Sequence, residues 1–323
     1  MRSIPVHLKT ATAVLLGVVM SVAQAQGKYP NRPVRVVVPF PAGSASDNIG
    51  RLTFQEVGNA VGGTFVIDNK AGAAGFIGME LASKAAPDGY TLVVSSSSTH
   101  SINPWVFKKL PYDPIGGTTN ITCLATLPQV IVVAAEAPFK DLRQLVNFGK
   151  ANPGKLSYAY GTSSAQVASA AFTSIGGFQA QAIPYKGPAD GILSLLRGET
   201  QFMVVDLTSS MAQIRGAKLR ALAIASENSS LLPGVPSFRA AGFPGYNMVT
   251  WVGLSAPAGV PRDISASIAK AVESAMQQDG VKQRYADWGI ESCAGSPASF
   301  EKLVLEQQGI WKAKIQEVGI TPQ

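Results

Sequence analysis

Short apolar segments alternate with amphipathic ones along this chain, and that order constrains the fold more than any other feature. The segment "VRVVV" (34–38) is typical of a buried strand, and Ile49, Leu52 and Val57 recur at helical spacing after it. The strand-like segments "TFVID" and "TLVVS" (91–95) follow, with a second helical stretch between them. Strands that alternate with helices predict an α/β fold in which a mostly parallel sheet is flanked by helices.

A long apolar stretch from Ile121 to Ala135, interrupted by Pro128, indicates that the chain has two lobes. A single strand of that length is unusual, so we expect a strand that kinks at the proline as it passes from one lobe to the other. A second set of alternating strands and helices follows, and "VTWVGLSAP" (249–257) is interpreted as the return crossing. The chain is therefore expected to form two α/β lobes that are joined by two hinge crossings.

The order of the elements also predicts boundaries. Lobe 1 is predicted over 26–126 plus 248–323, and lobe 2 over 127–247 is inserted into it. Three helical segments, roughly 262–278, 281–287 and 297–318, are predicted to close the chain.

The first 25 residues have the features of a cleavable signal peptide. Arg2 and Lys9 give a basic start, an apolar run extends from Ala11 to Ala23, and the sequence "AQA" (23–25) fits the rule for small residues at a cleavage site. The apolar run is too short to span a bilayer, and an uncleaved anchor is the alternative. No later run of 18 apolar residues follows, so we expect an exported, periplasmic protein.

Composition and motifs argue against several functional classes. The formal net charge is +7, but no run of five or more lysines and arginines is present, so we expect no nucleic-acid partner. The chain has no H-E-x-x-H, CxxC, P-loop or acidic calcium loop, so we expect neither a cofactor nor a metal. It also lacks the G-x-S-x-G elbow of α/β-hydrolases. A serine hydrolase would have to recruit His100, which lies beside a run of serines, and this remains an alternative function.

Small polar residues follow four of the predicted strands. In open α/β sheets, ligands bind beyond the carboxyl ends of the strands, and helix N-termini there offer unpaired N–H groups to an anion. Ordinary helix capping by Ser46, Asp47 or Ser163 explains each loop taken alone. Four such loops together favour a polar cleft that accepts anions. The loops are "PFPAGSASD" (39–47), "SSSSTH" (95–100), "YGTSSAQ" (160–166) and "VVDLTSS" (204–210).

Two further features belong to the same predicted cleft. The loop "PYKG" (184–187) contains Lys186, which is either a counter-charge for an anion or an ordinary surface lysine. Asp206 ends an apolar strand, and it either accepts a hydrogen bond from a ligand or caps the next helix.

Several motifs occur in a fixed order along the mature chain. They include "YPNRPVRVVVPFPAGSASD", "AAPDGYTLVV", "INPWVFKKLPYDP", "KANPGKLSYAYGTSS", "IPYKGPADGILSLLRGETQFMVVD" and "WVGLSAPAGVP". In their order and spacing they resemble the Bug-type periplasmic solute-binding proteins of tripartite tricarboxylate transporters. The resemblance implies a type II, Venus-flytrap fold and no catalysis. It also implies a carboxylate held between the lobes by main-chain amides, hydroxyls and ordered waters.

The resemblance also implies which residues contact the ligand. The chain departs from the family pattern at Ser44, where glycine is usual, at Gln166, where histidine is usual, and at His100, which is uncommon. These departures put the identity of the ligand in question. The candidate ligand-binding residues are Phe40, Ala42, Gly43, Ser44, Ala45, Asp47, Ser96, Ser97, Thr99, His100, Gly161, Thr162, Ser163, Ser164, Tyr185, Lys186, Gly187 and Asp206.

The function expected from the residues and the resemblance together is that of an extracytoplasmic solute receptor. We expect a monomer that captures a small carboxylate and delivers it to the membrane components of a tripartite tricarboxylate transporter. The candidate ligands are di- and tricarboxylates, acidic amino acids and aromatic acids such as a phthalate, with aromatic and dicarboxylic acids favoured. The alternatives are the serine hydrolase and a sensor subunit that signals to a membrane kinase.

Cys123 and Cys293 are the two cysteines of the chain. In an oxidising compartment a disulfide between them is one expectation, and two buried free thiols are the other. The resemblance places both residues in lobe 1, which favours the disulfide.

Overall fold

Strands and helices alternate along the chain, as the apolar pattern predicts. The computed structural model describes residues 29–226, 230–246 and 248–323, so the predicted signal peptide lies outside the described residues. The strands are β1 (Val34–Val38), β2 (Phe65–Asn69), β3 (Thr91–Ser96), β4 (Thr118–Ala134), β5 (Ser157–Tyr160), β6 (Gln181–Pro184), β7 (Phe202–Asp206), β8 (Leu219–Ile224), β9 (Val249–Pro257) and β10 (Glu291–Ser292). The helices are α1 (Ala45–Val61), α2 (Phe76–Ser83), α3 (Asn103–Val106), α4 (Leu142–Ala151), α5 (Ser163–Gly176), α6 (Pro188–Leu196), α7 (Leu207–Arg215), α8 (Arg262–Met276), α9 (Asp279–Trp288) and α10 (Pro297–Glu317). A 3-10 turn (Ala73–Gly75) precedes α2, and a π-helical turn (Ser98–Ile102) precedes α3.

The strands form two sheets that share β4. The first sheet has the order β2-β1-β3-β9-β4-β10, in which β1 pairs in parallel with β2 and β3. The second has the order β6-β5-β7-β4-β8, in which β5 pairs in parallel with β6 and β7. The strands β4 and β9 add antiparallel pairs because they cross the hinge in opposite directions, so both sheets are mixed. We call the elements around the two sheets the first lobe and the second lobe.

The strand β4 passes from one sheet to the other at Pro128. The last residue pair between β4 and β9 is Pro128 with Val249, and Gln129 already pairs with Asp206 of β7. Proline has no N–H to donate, so it interrupts the ladder at the point where the partner strand changes. The expected strand that links the lobes is therefore confirmed. The change of partners at Pro128 lies close to the predicted lobe boundary at 126/127. The boundaries at 126/127 and 247/248 remain predictions.

Each lobe has its own apolar core. In the first lobe, the valines of β1 pack with Ile49 of α1 and Leu92 of β3. In the second lobe, the rings of Phe172 and Phe202 lie 5.7 Å apart at the centre of an aromatic cluster. Among the described residues, no helix is long and apolar enough to cross a bilayer.

The C-terminal helix α10 contacts both lobes. Phe300, near its start, packs against Cys123 and Trp251 of the first lobe, whereas Trp311 belongs to the core of the second. Cys123 and Cys293 form a disulfide with a Cα–Cα distance of 5.3 Å, which ties β4 to the segment that leads into α10. The expected disulfide is thus present.

Candidate ligand-binding cleft

A narrow cavity lies between the lobes, at the ends of β1, β3 and β7 and beside the hinge strands. It encloses about 50 Å³. A buried water molecule needs roughly 10–15 Å³, so this is space for a few waters or for part of a small organic acid. We call it the cleft cavity. Its lining residues are Phe40, Ser44, Ala45, Ser46, Ser96, Ser97, Ser98, Leu127, Gln129, Thr162, Ser164, Ala165, Pro188, Met203, Val205, Asp206, Thr250, Trp251 and Val252.

The first wall of the cleft cavity is the start of α1. Ser44 is the N-cap residue, and its hydroxyl accepts a hydrogen bond from the Asp47 N–H at 3.4 Å. Ala45 and Ser46, the first two residues of α1, are buried and line the cavity. Their N–H groups lie in the first helical turn, where no intrahelical acceptor exists. These N–H groups and the positive end of the helix dipole favour an anion.

Asp47 supports this wall from behind. Its carboxylate accepts hydrogen bonds from the Gly43 N–H at 2.8 Å and from Arg51 Nε and Asn69 Nδ2, both at 2.9 Å. Burial alone would raise the pKa of Asp47, but the hydrogen bonds from Arg51, Gly43 and Asn69 outweigh it and lower the pKa. Asp47 does not line the cleft cavity. Its hydrogen bonds hold the loop that precedes α1 in place.

The second wall is the serine run at the end of β3. The Ser96 N–H donates to Thr99 Oγ1 at 3.0 Å, which closes the turn on itself. The Ser97 hydroxyl oxygen accepts from the Trp251 N–H of β9 at 2.8 Å. Ser96, Ser97 and Ser98 line the cleft cavity, whereas Thr99 is fully buried and supports the turn.

The third wall is the start of α5 in the second lobe. Thr162 is the N-cap residue, and its hydroxyl accepts from the Ala165 N–H at 3.1 Å. Thr162, Ser164 and Ala165 all line the cleft cavity. A second helix N-terminus and further hydroxyls therefore face the first wall across the cleft.

Hydrogen bonds cross the cleft and join the two lobes. The Ser98 hydroxyl donates to Ser164 Oγ at 3.2 Å, and the Ser164 N–H lies 3.3 Å from Ser98 Oγ. The Ser163 hydroxyl donates to Asn103 Oδ1 at 2.6 Å. The amide NH₂ group of Asn103 donates a hydrogen bond to Tyr112 Oη, which turns the amide oxygen towards Ser163. We call these contacts of Ser98, Asn103, Ser163 and Ser164 the seam.

The back wall of the cleft cavity comes from the hinge strands and β7. Gln129, which is 2% exposed, donates from Nε2 to Thr250 Oγ1 at 3.0 Å. Asp206 caps α7, and its carboxylate accepts from the Ser209 N–H at 2.8 Å and from the Ser209 hydroxyl at 3.0 Å. Burial raises the pKa of Asp206 even though both Ser209 hydrogen bonds oppose that shift. In the described part of the chain, no Lys, Arg or His lines the cavity, and Asp206 is its one charged lining side chain.

His100 does not line the cleft cavity. Its ring is fully buried, with Nδ1 at 2.9 Å from Thr99 Oγ1 and Nε2 at 3.1 Å from Thr118 Oγ1. Burial lowers the pKa of His100 to about 4, so the ring is neutral near pH 7. Within residues 29–226, 230–246 and 248–323, no serine hydroxyl or carboxylate bonds to this ring. The geometry therefore lacks the partners of a Ser-His-Asp triad.

Two predicted glycines lie where chain segments approach each other closely. A Cβ atom on Gly161 would lie 2.2 Å from the carbonyl carbon of Gly187. A Cβ atom on Gly187 would lie 2.8 Å from Pro41 Cγ in the first lobe. Any larger residue at Gly187 would therefore clash with the Pro41 ring across the cleft.

Other predicted residues lie outside the cleft cavity. Tyr185 and Lys186 line a wider groove of about 740 Å³, together with Gly161, Thr162 and Ser163. Ala42 and Gly43 are exposed on the loop that precedes α1. The predicted residues that the structure does bring together around the cleft cavity are Phe40, Ser44, Ala45, Ser96, Ser97, Thr162, Ser164 and Asp206.

The prediction missed most of the back wall. Gln129 and Thr250 are polar residues within the apolar hinge strands, and both are buried at the cavity. A buried polar side chain in an apolar run is a signal that sequence reading can use, because such a residue needs a partner or a ligand. Ser46, Ser98, Ala165 and Val205 lie in the predicted strand-end loops but were not named as individual ligand-binding candidates. The other lining residues that were missed are Leu127, Pro188, Met203, Trp251 and Val252.

Two lobes that share hinge strands, with a polar cavity between them, define the class of two-lobed periplasmic binding proteins. Within this class, the chain belongs to the tripartite tricarboxylate transporter family receptors, because the model of that family matches residues 49–320. The predicted family and fold are thereby confirmed.

Individual relatives agree with this assignment. The "UPF0065 protein in tcbD-tcbE intergenic region" of Pseudomonas sp. (strain P51) is 33% identical over 91% of this chain and 89% of its own length. The structure of R. palustris Rpa4515 with adipate has a TM-score of 0.89 at 27% identity and covers 92% of this chain and 100% of that one. MatC (Rpa3494) from Rhodopseudomonas palustris with bound malate has a TM-score of 0.84 at 29% identity and covers 89% of this chain and 100% of that one.

Proposed function

We propose that this chain is a periplasmic receptor that binds a small carboxylate in the cleft cavity and delivers it to the membrane components of a tripartite tricarboxylate transporter. The observation that carries the proposal is the convergence of two helix N-termini, those of α1 and α5, on a cavity lined by hydroxyl groups. N–H and O–H donors at such positions bind an anion without a cationic side chain.

The relatives support the same ligand chemistry. Rpa4515 was solved with adipate and MatC with malate, and both ligands are dicarboxylates. We propose that this chain takes a ligand from the di- and tricarboxylates, acidic amino acids and aromatic carboxylic acids. We further propose that it acts as a monomer, that it is exported by the segment 1–25, and that it catalyses no reaction.

A ligand screen tests the proposal. A bound ligand raises the melting temperature by mass action, so a thermal-shift screen with malate, adipate, citrate, glutamate and phthalate should reveal at least one stabilising acid. Calorimetric titration of that acid should then give its affinity. If none of these acids raises the melting temperature or gives a binding isotherm, the proposal is wrong.

A matched pair of variants tests whether the anion binds at the start of α1. Ser46→Asp adds a carboxylate at the second residue of α1, inside the cleft cavity, and Ala298→Asp adds one at the same position of α10, on the surface. Both acids suit a helix N-terminus, so both variants should fold. Like charges at close range cost several kcal/mol, so Ser46→Asp should weaken binding by at least about 100-fold and Ala298→Asp should not. If the two variants bind the ligand with equal affinity, the anion does not bind at the start of α1.

A further inference from the structure

The cleft cavity has a donor end and an acceptor end. The donor end consists of the first-turn N–H groups of α1 and the hydroxyls of the serine run. The acceptor end is the back wall, where Asp206 and Gln129 lie directly opposite each other on β7 and β4. Directly opposite residues of an antiparallel pair present their side chains on the same face of the sheet. Both side chains line the cavity from that face.

Asp206 retains unused capacity to accept hydrogen bonds. A carboxylate has about four lone-pair sites, and Ser209 occupies two of them through its N–H at 2.8 Å and its hydroxyl at 3.0 Å. The backbone N–H of Asp206 itself also bonds to its carboxylate. Among the described residues, no cationic side chain lines the cavity. The carboxylate is therefore able to accept a further hydrogen bond from a ligand.

The amide of Gln129 adds a second acceptor. The Thr250 hydroxyl donates its one hydrogen to the Leu127 carbonyl at 3.4 Å. In its contact with Gln129, the Thr250 oxygen must therefore be the acceptor. It accepts from Gln129 Nε2 at 3.0 Å, and this fixes which way the amide group is turned. Gln129 Oε1 is left with no donor among the residues that the structure describes. The back wall thus offers acceptors from two side chains, Asp206 and Gln129, and Gln129 Nε2 has a second N–H besides the one that it donates to Thr250.

We infer that the ligand is a carboxylate that also carries a hydrogen-bond donor, a hydroxyl or an ammonium group, and that Asp206 receives this donor. The inference rests on the proposed function and narrows its substrate class to hydroxy and amino carboxylic acids. The ligand carboxylate meets the donor end, and the small volume of the cavity places the hydroxyl or ammonium within a few bonds of it.

A ligand without such a donor fits this site poorly. A plain hydrocarbon chain against the back wall would keep water from the Asp206 carboxylate and leave it with only its local hydrogen bonds, such as those from Ser209, which costs free energy. Burial already raises the pKa of Asp206, and a hydroxyl or ammonium group at the carboxylate would lower it again. Donor-bearing acids should therefore bind more tightly than acids of the same length without one.

Two matched sets of acids test the inference by calorimetry. The first set is succinate, L-malate and L-aspartate, and the second is glutarate, L-2-hydroxyglutarate and L-glutamate. In at least one set, the hydroxy or amino acid should bind about 10- to 100-fold more tightly than the plain acid, as expected for a hydrogen bond to a charged group. Tighter binding of the amino acid identifies an ammonium group as the donor, and tighter binding of the hydroxy acid identifies a hydroxyl.

The variant Asp206→Asn tests the residue itself. Asparagine is also a good N-cap, so α7 should keep its start. The matched control is Asp141→Asn, because Asp141 caps α4 in the same lobe by accepting from the Gln144 N–H at 2.8 Å, outside the cleft cavity. Asp206→Asn should lose the preference for the donor-bearing acid, and Asp141→Asn should retain it.

The outcomes separate this inference from the proposed function. If the plain acids bind the native protein at least as tightly as their hydroxy and amino counterparts, the inference is wrong and the carboxylate receptor stands. If the two asparagine variants behave alike, Asp206 is only a helix cap. If none of the six acids binds and the wider screen is also negative, both proposals are wrong. Should Asp206→Asn fail to fold, the comparison of acids on the native protein still decides.

Discussion

The buried imidazole of His100 should make the stability of this protein fall in mild acid. Its ring is fully buried between Thr99 and Thr118, and burial lowers its pKa from an ordinary value of 6.5 to about 4. Between those two pH values the unfolded chain binds a proton at His100 and the folded chain does not. Stability is therefore fully present above about pH 6.5 and is lost as the pH falls towards 4.

The size of the effect follows from the two pKa values. Each pKa unit corresponds to about 1.4 kcal/mol, so a folded-state pKa of about 4 against 6.5 removes roughly 3 kcal/mol of unfolding free energy by pH 4. The sequence contains two histidines, and the other, His7, lies in the predicted signal peptide. In a protein that begins after the predicted signal peptide, His100 alone supplies the histidine contribution.

Urea unfolding of the native protein and of His100→Gln, at several pH values between 4.5 and 7.5, measures this contribution. Glutamine does not titrate, and the carboxylates common to both proteins cancel in the difference between them. The native protein should lose about 2–3 kcal/mol more than the variant across this range. A difference that stays constant with pH would show that the buried ring is not held neutral, and the reasoning would be refuted.

Three more predictions follow from the cleft and the disulfide. Ser163→Ala removes a hydrogen bond of the seam and should weaken ligand binding by about 3- to 10-fold in calorimetry. The control Ser174→Ala, at an exposed position of α5, should leave the affinity unchanged. If both variants bind with the same affinity, the Ser163 hydroxyl does not contribute to ligand binding. Replacing Cys123 and Cys293 by serine opens a cross-link between residues 170 apart and should lower the unfolding free energy by about 4–5 kcal/mol in urea, and a loss below about 1 kcal/mol would contradict this. Binding of a donor-bearing acid should weaken as the pH is lowered, because Asp206, whose pKa burial raises, takes up a proton and stops accepting. Asp206→Asn should lose this part of the pH dependence and keep only the part that comes from titration of the ligand itself.

The sequence predicted the elements well where local pattern decides them. The last three helices were expected near 262–278, 281–287 and 297–318 and are found at Arg262–Met276, Asp279–Trp288 and Pro297–Glu317. Helical periodicity and the flanking Pro and Gly residues were sufficient for this result, because both are local signals. The passage of β4 between the lobes was also predictable, since an apolar run with a central proline is too long for a strand that stays within one sheet.

The cleft was predictable only in part, because its geometry depends on contacts that are distant in sequence. The strand-end loops identified the two helix N-termini, but Gln129 joins the cavity through its register with Asp206 on another strand. His100 was misplaced for a local reason. The serine run continues into a π-helical turn, Ser98–Ile102, which leaves Ser98 at the cavity and buries His100 between threonines. π-Helical turns are rare, and neither apolar periodicity nor capping residues predict them.

The seam and the cleft cavity share side chains, so closure and ligand recognition are coupled. Ser98 and Ser164 bond to each other across the lobes, and both also line the cavity. Neutral hydrogen bonds contribute about 0.5–1.5 kcal/mol each, so the few bonds of the seam hold the lobes with only a few kcal/mol. A ligand that contacts both walls at once binds the closed form better than the open one, and an advantage of similar size shifts most of the population. A carboxylate bound as proposed, by the starts of α1 and α5, would thus favour closure, because these two helix starts lie on opposite lobes.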